Sequence, residues 1–279
     1  MDYIKATQIG NNTVVQGIRN FNPAQVLECG QCFRWQPDGV GYVGIAHGRR
    51  LRISLDESNL ILEDVQLDEF NAIWRDYFDL GRDYGEILRA YASDPNLAAA
   101  TAFSPGLRVM GQDPWETLVT FIFSQNSNIP RIRKMVMELC MRFGDALPHG
   151  GRSFPGPDVL AGLTANDLAP VKPGYRAPYI IDAAKKVASG TICLQELSVM
   201  STPDIKKALL EIHGVGPKVA DCVALFGYGR VEICPMDVWM KRVMDVLYPA
   251  GFPDEFMPTA GIAQQYLFHY ARNFPERFY

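Results

Sequence analysis

One segment constrains this chain more than any other: Leu209-Leu210-Glu211-Ile212-His213-Gly214-Val215-Gly216-Pro217-Lys218-Val219-Ala220-Asp221-Cys222. Thr202-Pro203 opens a helix whose apolar side carries Ile205, Leu209 and Ile212. Gly214-Val215-Gly216 then reverses the chain, since glycine accepts backbone conformations that side chains resist, and Pro217 has the φ of a helix's first turn. Two helices joined this way form a helix-hairpin-helix. Its turn brings backbone N–H groups to the surface and its second helix presents a positive end, which together suit one phosphate with no base read there. The competing reading is a purely structural turn between packed helices.

Lys218 falls in the first turn of the second helix, where the helix dipole opposes the ammonium form and favours the neutral amine that a nucleophile needs. Cys222, at i+4, faces the same side. Taken alone, Lys218 fits a phosphate-contacting or solvent-facing lysine as well. Further on, Cys234-Pro235-Met236-Asp237-Val238-Trp239 reads as a loop entering a helix, with Asp237 at its N-cap or first turn. A cap aspartate needs no other role. It is nevertheless a rigidly held anion, which is what stabilises positive charge developing on a sugar during glycosidic cleavage, while a neutral amine can capture C1′. An amine nucleophile gives a Schiff base, which permits β-elimination of the 3′ phosphate.

Composition narrows the class. No apolar run approaches the roughly 20 residues that span a bilayer, and Met1-Asp2-Tyr3-Ile4-Lys5 lacks a signal-peptide layout. A soluble, cytoplasmic protein with no membrane partner is expected. The net charge of −4 disfavours a broad nucleic-acid surface. However, residues 1–110 carry 10 Lys+Arg against 14 Asp+Glu, and the remainder carries 17 of each. A local patch in the second half is therefore the expected contact surface. Cys29 and Cys32 form a lone CxxC among six cysteines, with four histidines in the chain. Neither a structural zinc nor an iron–sulfur cluster is expected from that set.

The first hundred residues read as a small α+β unit. Strand candidates are 42–46, 51–55 and 60–62, with turns at His47-Gly48 and Ser58-Asn59. Residues 68–78 and 82–92 read as helical, and Ser93–Pro105 as a loop or linker. From Asp113-Pro114 onward the period is that of helices, strongest in Ile132, Met135, Val136, Leu139, Cys140 and Phe143, closed by Gly144. Further helices are expected near 156–160, 166–170, 178–189, 203–212, 217–228, 236–248 and 259–272. The expected architecture is α+β, with a small antiparallel sheet domain (1–105) packed on a larger helical domain (106–279).

Gly214-Val215-Gly216-Pro217-Lys218-Val219-Ala220-Asp221-Cys222, followed by Pro235-Met236-Asp237-Val238, resembles the hairpin, Gly/Pro-rich loop and aspartate signature of the helix-hairpin-helix DNA glycosylases. Among them the chain is most similar to the 8-oxoguanine DNA glycosylase/AP lyase family. The likeness runs from Gly30-Gln31-Cys32-Phe33-Arg34-Trp35 to Gln264-Gln265-Tyr266-Leu267-Phe268. It implies a base-excision repair enzyme, expected to be monomeric, acting on double-stranded DNA that contains 8-oxoguanine opposite cytosine. Lys218 would be the Schiff-base nucleophile and Asp237 the catalytic aspartate. The Gly30 carbonyl would accept from N7–H of the lesion, an interaction that guanine, with an acceptor at N7, cannot make. Phe268 and Cys222 would sandwich the flipped base and Gln264 would bond its Watson–Crick edge.

The same resemblance makes Asn126 the residue filling the vacated duplex space. Arg131 and Arg176 become donors to the unpaired cytosine, and Tyr175 the wedge at the kink. Gly214 and Gly216 would meet phosphate. The backbone carbonyls of Leu210, Ile212 and Val215 could hold a monovalent or calcium ion beside it, although no cofactor is required. Three positions depart from the eukaryotic pattern: Ser127 replaces an asparagine, Trp239 a phosphate-contacting histidine, and Cys32 a serine. Trp239 could still donate its indole N–H to phosphate. The chain reads as a prokaryotic version. The rival readings are a glycosylase for another damaged purine and a non-catalytic DNA-binding module.

Overall fold

The computed structural model describes residues 1–278. It divides into two compact units. The first comprises Met1–Val43, Leu51–Gly111 and Gly229–Tyr279, the second Gly44–Arg50 and Gln112–Tyr228. The division thus differs from a single cut near residue 105. A break does fall close by, at Gly111, but the last fifty residues fold with the N-terminal unit. Helix Ala260–Asn273 packs on helix Pro95–Phe103, and the Tyr91 hydroxyl donates to the Thr259 carbonyl at 2.8 Å. A linear reading cannot anticipate such a return of the chain.

The sheet has six strands: β1 (Lys5–Ile9), β2 (Asn12–Gln16), β3 (Trp35–Pro37), β4 (Tyr42–Ala46), β5 (Arg49–Asp56) and β6 (Asn59–Leu62). They run in the order β1-β2-β6-β5-β4-β3, with antiparallel registers such as Thr13↔Leu62 and Ile53↔Leu62. β4, β5 and β6 match the expected strands. β1, β2 and β3 were not expected: edge strand β1 buries none of its residues and so lacks the alternation of a half-buried strand, β3 has three residues, and β2 does alternate, burying Thr13 and Val15. An aromatic cluster joins β3 to residues 67–78: Trp35 donates its indole N–H to the Tyr77 hydroxyl at 2.7 Å, and Trp74 meets Tyr77 edge-on at 5.5 Å. Residues 67–77 are continuous helical backbone with a π-helical turn at Phe70–Trp74.

The stretch expected as a linker contains helix Pro95–Phe103, capped by Asp94, which accepts from the Asn96 and Leu97 N–H groups. Its alanines give it no polar–apolar contrast, so periodicity alone misses it, although Asp94-Pro95 is a helix-start pairing.

In the second unit, helix Pro114–Ser124 buries eight of its eleven residues and packs on helix Pro217–Tyr228. The Phe121 and Phe226 rings stack at 5.3 Å, an arrangement worth about 0.5–1.5 kcal/mol beyond area burial. Helix Ile129–Phe143 follows, capped by Asn128 and ended at Gly144. The remaining expected helices are present within a few residues of their expected bounds, and Leu194–Leu197 adds a short one. Among the described residues no helix is long and apolar enough to cross a membrane.

Candidate active site and nucleic-acid interface

The hairpin joins helix Thr202–Leu210 to helix Pro217–Tyr228. Its turn is held from the helix Ala177–Ala188. The Asp182 carboxylate accepts from the His213 N–H at 2.7 Å and pairs with Lys186 at 2.9 Å, and Lys186 donates to the Glu211 carbonyl. Although burial opposes it, these partners hold the Asp182 carboxyl below its ordinary value. Gly214 has φ +79°, and a Cβ there would collide with the Tyr179 ring, so only glycine fits. Gly216 differs: its φ is not positive, and a Cβ would meet nothing within 4 Å. The fold does not demand glycine at 216, and the space above it is open. At the turn, the Ile212 carbonyl already accepts from the Val215 N–H at 3.0 Å and keeps one lone pair; the backbone carbonyls of Leu210, Ile212 and Val215 are the groups that would hold an ion there. An oxygen-only set of this kind suits a hard cation.

Lys218 is half-buried one residue into the second helix. Its amine lies 3.1 Å from the Ser124 hydroxyl and 5.1 Å from the centroid of the Phe121 ring, and no carboxylate pairs with it among the described residues. Cys222, one turn on, is buried at 3% exposure. Neighbouring Asp221 points elsewhere and pairs with Lys206 at 2.7 Å.

The loop between helices Pro114–Ser124 and Ile129–Phe143 carries Asn126, exposed and in the left-handed region at φ +45°. Asparagine tolerates that conformation better than most residues. Arg176 holds the loop: its guanidinium donates to the carbonyls of Gln125, Asn126 and Pro173, and it is 2% exposed. Burial lowers the Arg176 pKa from its ordinary value and the nearby Arg131 charge adds to this, yet a guanidinium stays cationic. Tyr175 is exposed, with the Arg176 guanidinium 4.4 Å from its ring. Arg131 is exposed in the first turn of helix Ile129–Phe143. Gln125 donates to the Gly214 carbonyl at 3.1 Å, so this loop and the hairpin are tied together.

In the first unit, Asp237 is the N-cap of helix Val238–Leu247 and accepts from the Met240 N–H at 2.7 Å. Trp239 is half-buried and meets Phe278 edge-on at 6.2 Å. Gly30 has φ +99°, a conformation favouring glycine. Helix Ala260–Asn273 carries Gln264, 7% exposed, whose side-chain oxygen is buried with no hydrogen-bond partner among the described residues. It also carries Phe268, half-buried, with the Arg272 guanidinium 5.5 Å from its ring.

Residues 14–118 match the 8-oxoguanine DNA glycosylase N-terminal domain, and residues 119–255 match the HhH-GPD superfamily of base excision DNA repair proteins. A probable N-glycosylase/DNA lyase of Methanothermobacter thermautotrophicus is 32% identical over 70% of this chain and 72% of its own length. The chain belongs to the 8-oxoguanine DNA glycosylase family. Two solved structures of this family's likeness cover 99% of the chain and all of their own. MBOgg1 in complex with a low-affinity DNA ligand has 42% identity and a TM-score of 0.94. The 8-oxoguanine glycosylase/lyase of Clostridium acetobutylicum, in complex with double-stranded DNA containing cytosine opposite 8-oxoguanine, has 32% identity and a TM-score of 0.93.

For a member of the 8-oxoguanine DNA glycosylase family, several site residues escaped sequence reasoning. Ser124 and Phe121 touch the Lys218 amine but lie 94 and 97 positions away along the chain. Gln125, from the loop after helix Pro114–Ser124, and Tyr179 and Asp182, from helix Ala177–Ala188, fix the hairpin.

Proposed function

We propose that this chain is a bifunctional DNA glycosylase that removes 8-oxoguanine lying opposite cytosine and then nicks the strand. The observation that carries this reading is the Lys218 amine, drawn inward to the Ser124 hydroxyl with no carboxylate partner among the described residues. A lysine serving only to touch phosphate would gain nothing from that half-buried position. In the proposed reaction the nitrogen lone pair of Lys218 attacks C1′ of an everted nucleotide. The C1′–N9 bond breaks and the base leaves with that electron pair and takes up a proton. Opening of the sugar gives the iminium, loss of a C2′ proton expels the 3′ phosphate, and the strand is cut. The Asp237 carboxylate, fixed by its cap bond, stabilises the positive charge that develops on the sugar.

The lesion is read by hydrogen bonds. The Gly30 carbonyl accepts from N7–H of 8-oxoguanine. The unpartnered oxygen of Gln264 suits the N–H donors of a purine's Watson–Crick edge, since an acceptor buried without a partner is costly until a ligand supplies one. Phe268 and Cys222 offer stacking surfaces for the base. Arg131 and Arg176 donate to the opposite cytosine, with Tyr175 and Asn126 at the kink. The open face at Gly216 suits the close approach of a phosphate, with Gly214 and Trp239 as further phosphate contacts and a monovalent or calcium ion on the hairpin carbonyls.

The deciding experiment is borohydride trapping on duplexes bearing 8-oxoguanine opposite cytosine. A covalent adduct is expected for the native chain and none for Lys218→Gln. An undiminished adduct in Lys218→Gln rules out the nucleophile.

A further inference from the structure

The two residues flanking Gly30 are both buried and both polar. Gln31 (1% exposed) donates its amide to the carbonyls of Arg108 at 2.7 Å and Val26 at 3.0 Å, and accepts from the Met110 N–H at 2.9 Å. Cys29 (0% exposed) directs its S–H to the Val26 carbonyl at 3.2 Å and accepts from two amides, Gln31 at 3.3 Å and Gln265 at 3.2 Å. Gln265 (2% exposed) comes from helix Ala260–Asn273, next to Gln264 and three residues before Phe268. The loop carrying Gly30 is therefore stitched through one sulfur atom to the helix carrying Gln264 and Phe268.

This stitch is a poor device for stability alone. A sulfur atom is a weak acceptor, and a buried amide spent on it recovers little of its desolvation penalty. A leucine or methionine at 265 would fill the same space at lower cost. What the bridge supplies is geometry. Successive residues of a helix are fixed about 100° apart, so anchoring Gln265 sets the rotation of Gln264 and Phe268 about the helix axis. Burial pushes the Cys29 thiol up, so the sulfur stays protonated and keeps its lone pairs for the amides.

We propose that Gln265, acting through the Cys29 thiol, fixes the Gly30 carbonyl against the Gln264 amide and is thereby a specificity-determining positioning residue. The inference rests on the function proposed above. Guanine and 8-oxoguanine differ at N7 by one hydrogen, so reading that atom requires both contacts to be held within about 0.5 Å.

The test uses the full-length Gln265→Met variant, which conserves volume and removes the donor. Single-turnover excision of 8-oxoguanine opposite cytosine falls about tenfold, in keeping with the effect of a small misplacement. Nicking of a duplex with a preformed abasic site is unchanged, because an abasic sugar presents no base to read. Cys29→Ala reproduces the loss and Cys29→Ser, which keeps an acceptor, restores excision. Excision that survives both Gln265→Met and Cys29→Ala overturns the inference. So does a parallel fall in excision, nicking and melting temperature, which marks a merely structural role. A native chain that nicks abasic DNA but leaves 8-oxoguanine in place instead overturns the functional reading itself, and this inference with it.

Discussion

The Lys218 amine and the Ser124 hydroxyl are 3.1 Å apart, and Ser124 already donates its proton to the Phe121 carbonyl at 2.7 Å. The hydroxyl oxygen can therefore only accept from Lys218, which leaves the amine's lone pair free when it is neutral. Removing this contact in Ser124→Ala leaves the amine loosely placed over the Phe121 ring. The rate of borohydride-trappable adduct formation is expected to fall about tenfold, with a stability change of about 1 kcal/mol. Quenched-flow trapping beside urea denaturation measures both, and equal trapping rates would falsify the positioning role of Ser124.

The two hairpin glycines separate fold from function. Gly214→Ala places a methyl group against the Tyr179 ring at a left-handed φ, and a stability loss of about 2 kcal/mol or more is expected. Gly216→Ala meets only open space, so its melting temperature should match that of the native chain while its affinity for duplex DNA falls. Thermal melts and fluorescence anisotropy with a labelled duplex distinguish the two. Unweakened binding by Gly216→Ala removes that residue from the phosphate contact.

A preference for cytosine over adenine opposite the lesion is expected, at about 1–3 kcal/mol for well-placed arginine donors. Arg131 is exposed and free to meet a base, so Arg131→Ala should narrow the preference without loss of stability. Arg176 already holds three backbone carbonyls, so Arg176→Ala should lower both the preference and the melting temperature. Equal excision opposite the two bases by the native chain defeats the assignment.

Arg108 and Asp2 form an ion pair with both side chains almost wholly buried. The Tyr84 N–H and the Asn20 amide also donate to the carboxylate, and the guanidinium also donates to the carbonyls of Arg19, Asn20, Asp79 and Arg82. Arg108→Met strands a buried anion and should cost about 3–5 kcal/mol. Pairing it with Asp2→Asn should cost less than the sum of the two single changes, read from urea unfolding midpoints.

Burial, with the Arg272 charge adding to it, holds the His269 imidazole below its ordinary value. The folded chain thus takes up this proton less readily than the unfolded one. Stability from this group is complete above the unfolded value of about 6.5 and declines as the pH falls from there toward the folded value. Unfolding midpoints measured on either side of about pH 6.5 should show an acid loss that His269→Gln reduces. An identical acid slope in the variant excludes His269 as its source.

The local structure was legible in the sequence wherever its cause is local. The Gly-Val-Gly-Pro turn, the cap at Asp237, the helix Ile129–Phe143 and strands β4 to β6 follow from backbone preference and hydrophobic period over a few neighbouring residues. Edge strand β1 escaped because it buries none of its residues, and helix Pro95–Phe103 because its buried face (Leu97, Ala100, Thr101) and its exposed face both draw on alanine, leaving no polar–apolar contrast. The identity of the site residues came through resemblance, since a lone lysine or glutamine carries no mark of its role.

Tertiary structure alone decided which partners those residues keep. Ser124 meets Lys218 from 94 positions away, Arg176 braces the Asn126 loop, and Gln265 reaches Cys29 across 236 positions. Side-chain hydrogen bonds extend only about 3 Å, and which atoms come that close depends on how whole helices pack, which no local sequence pattern encodes.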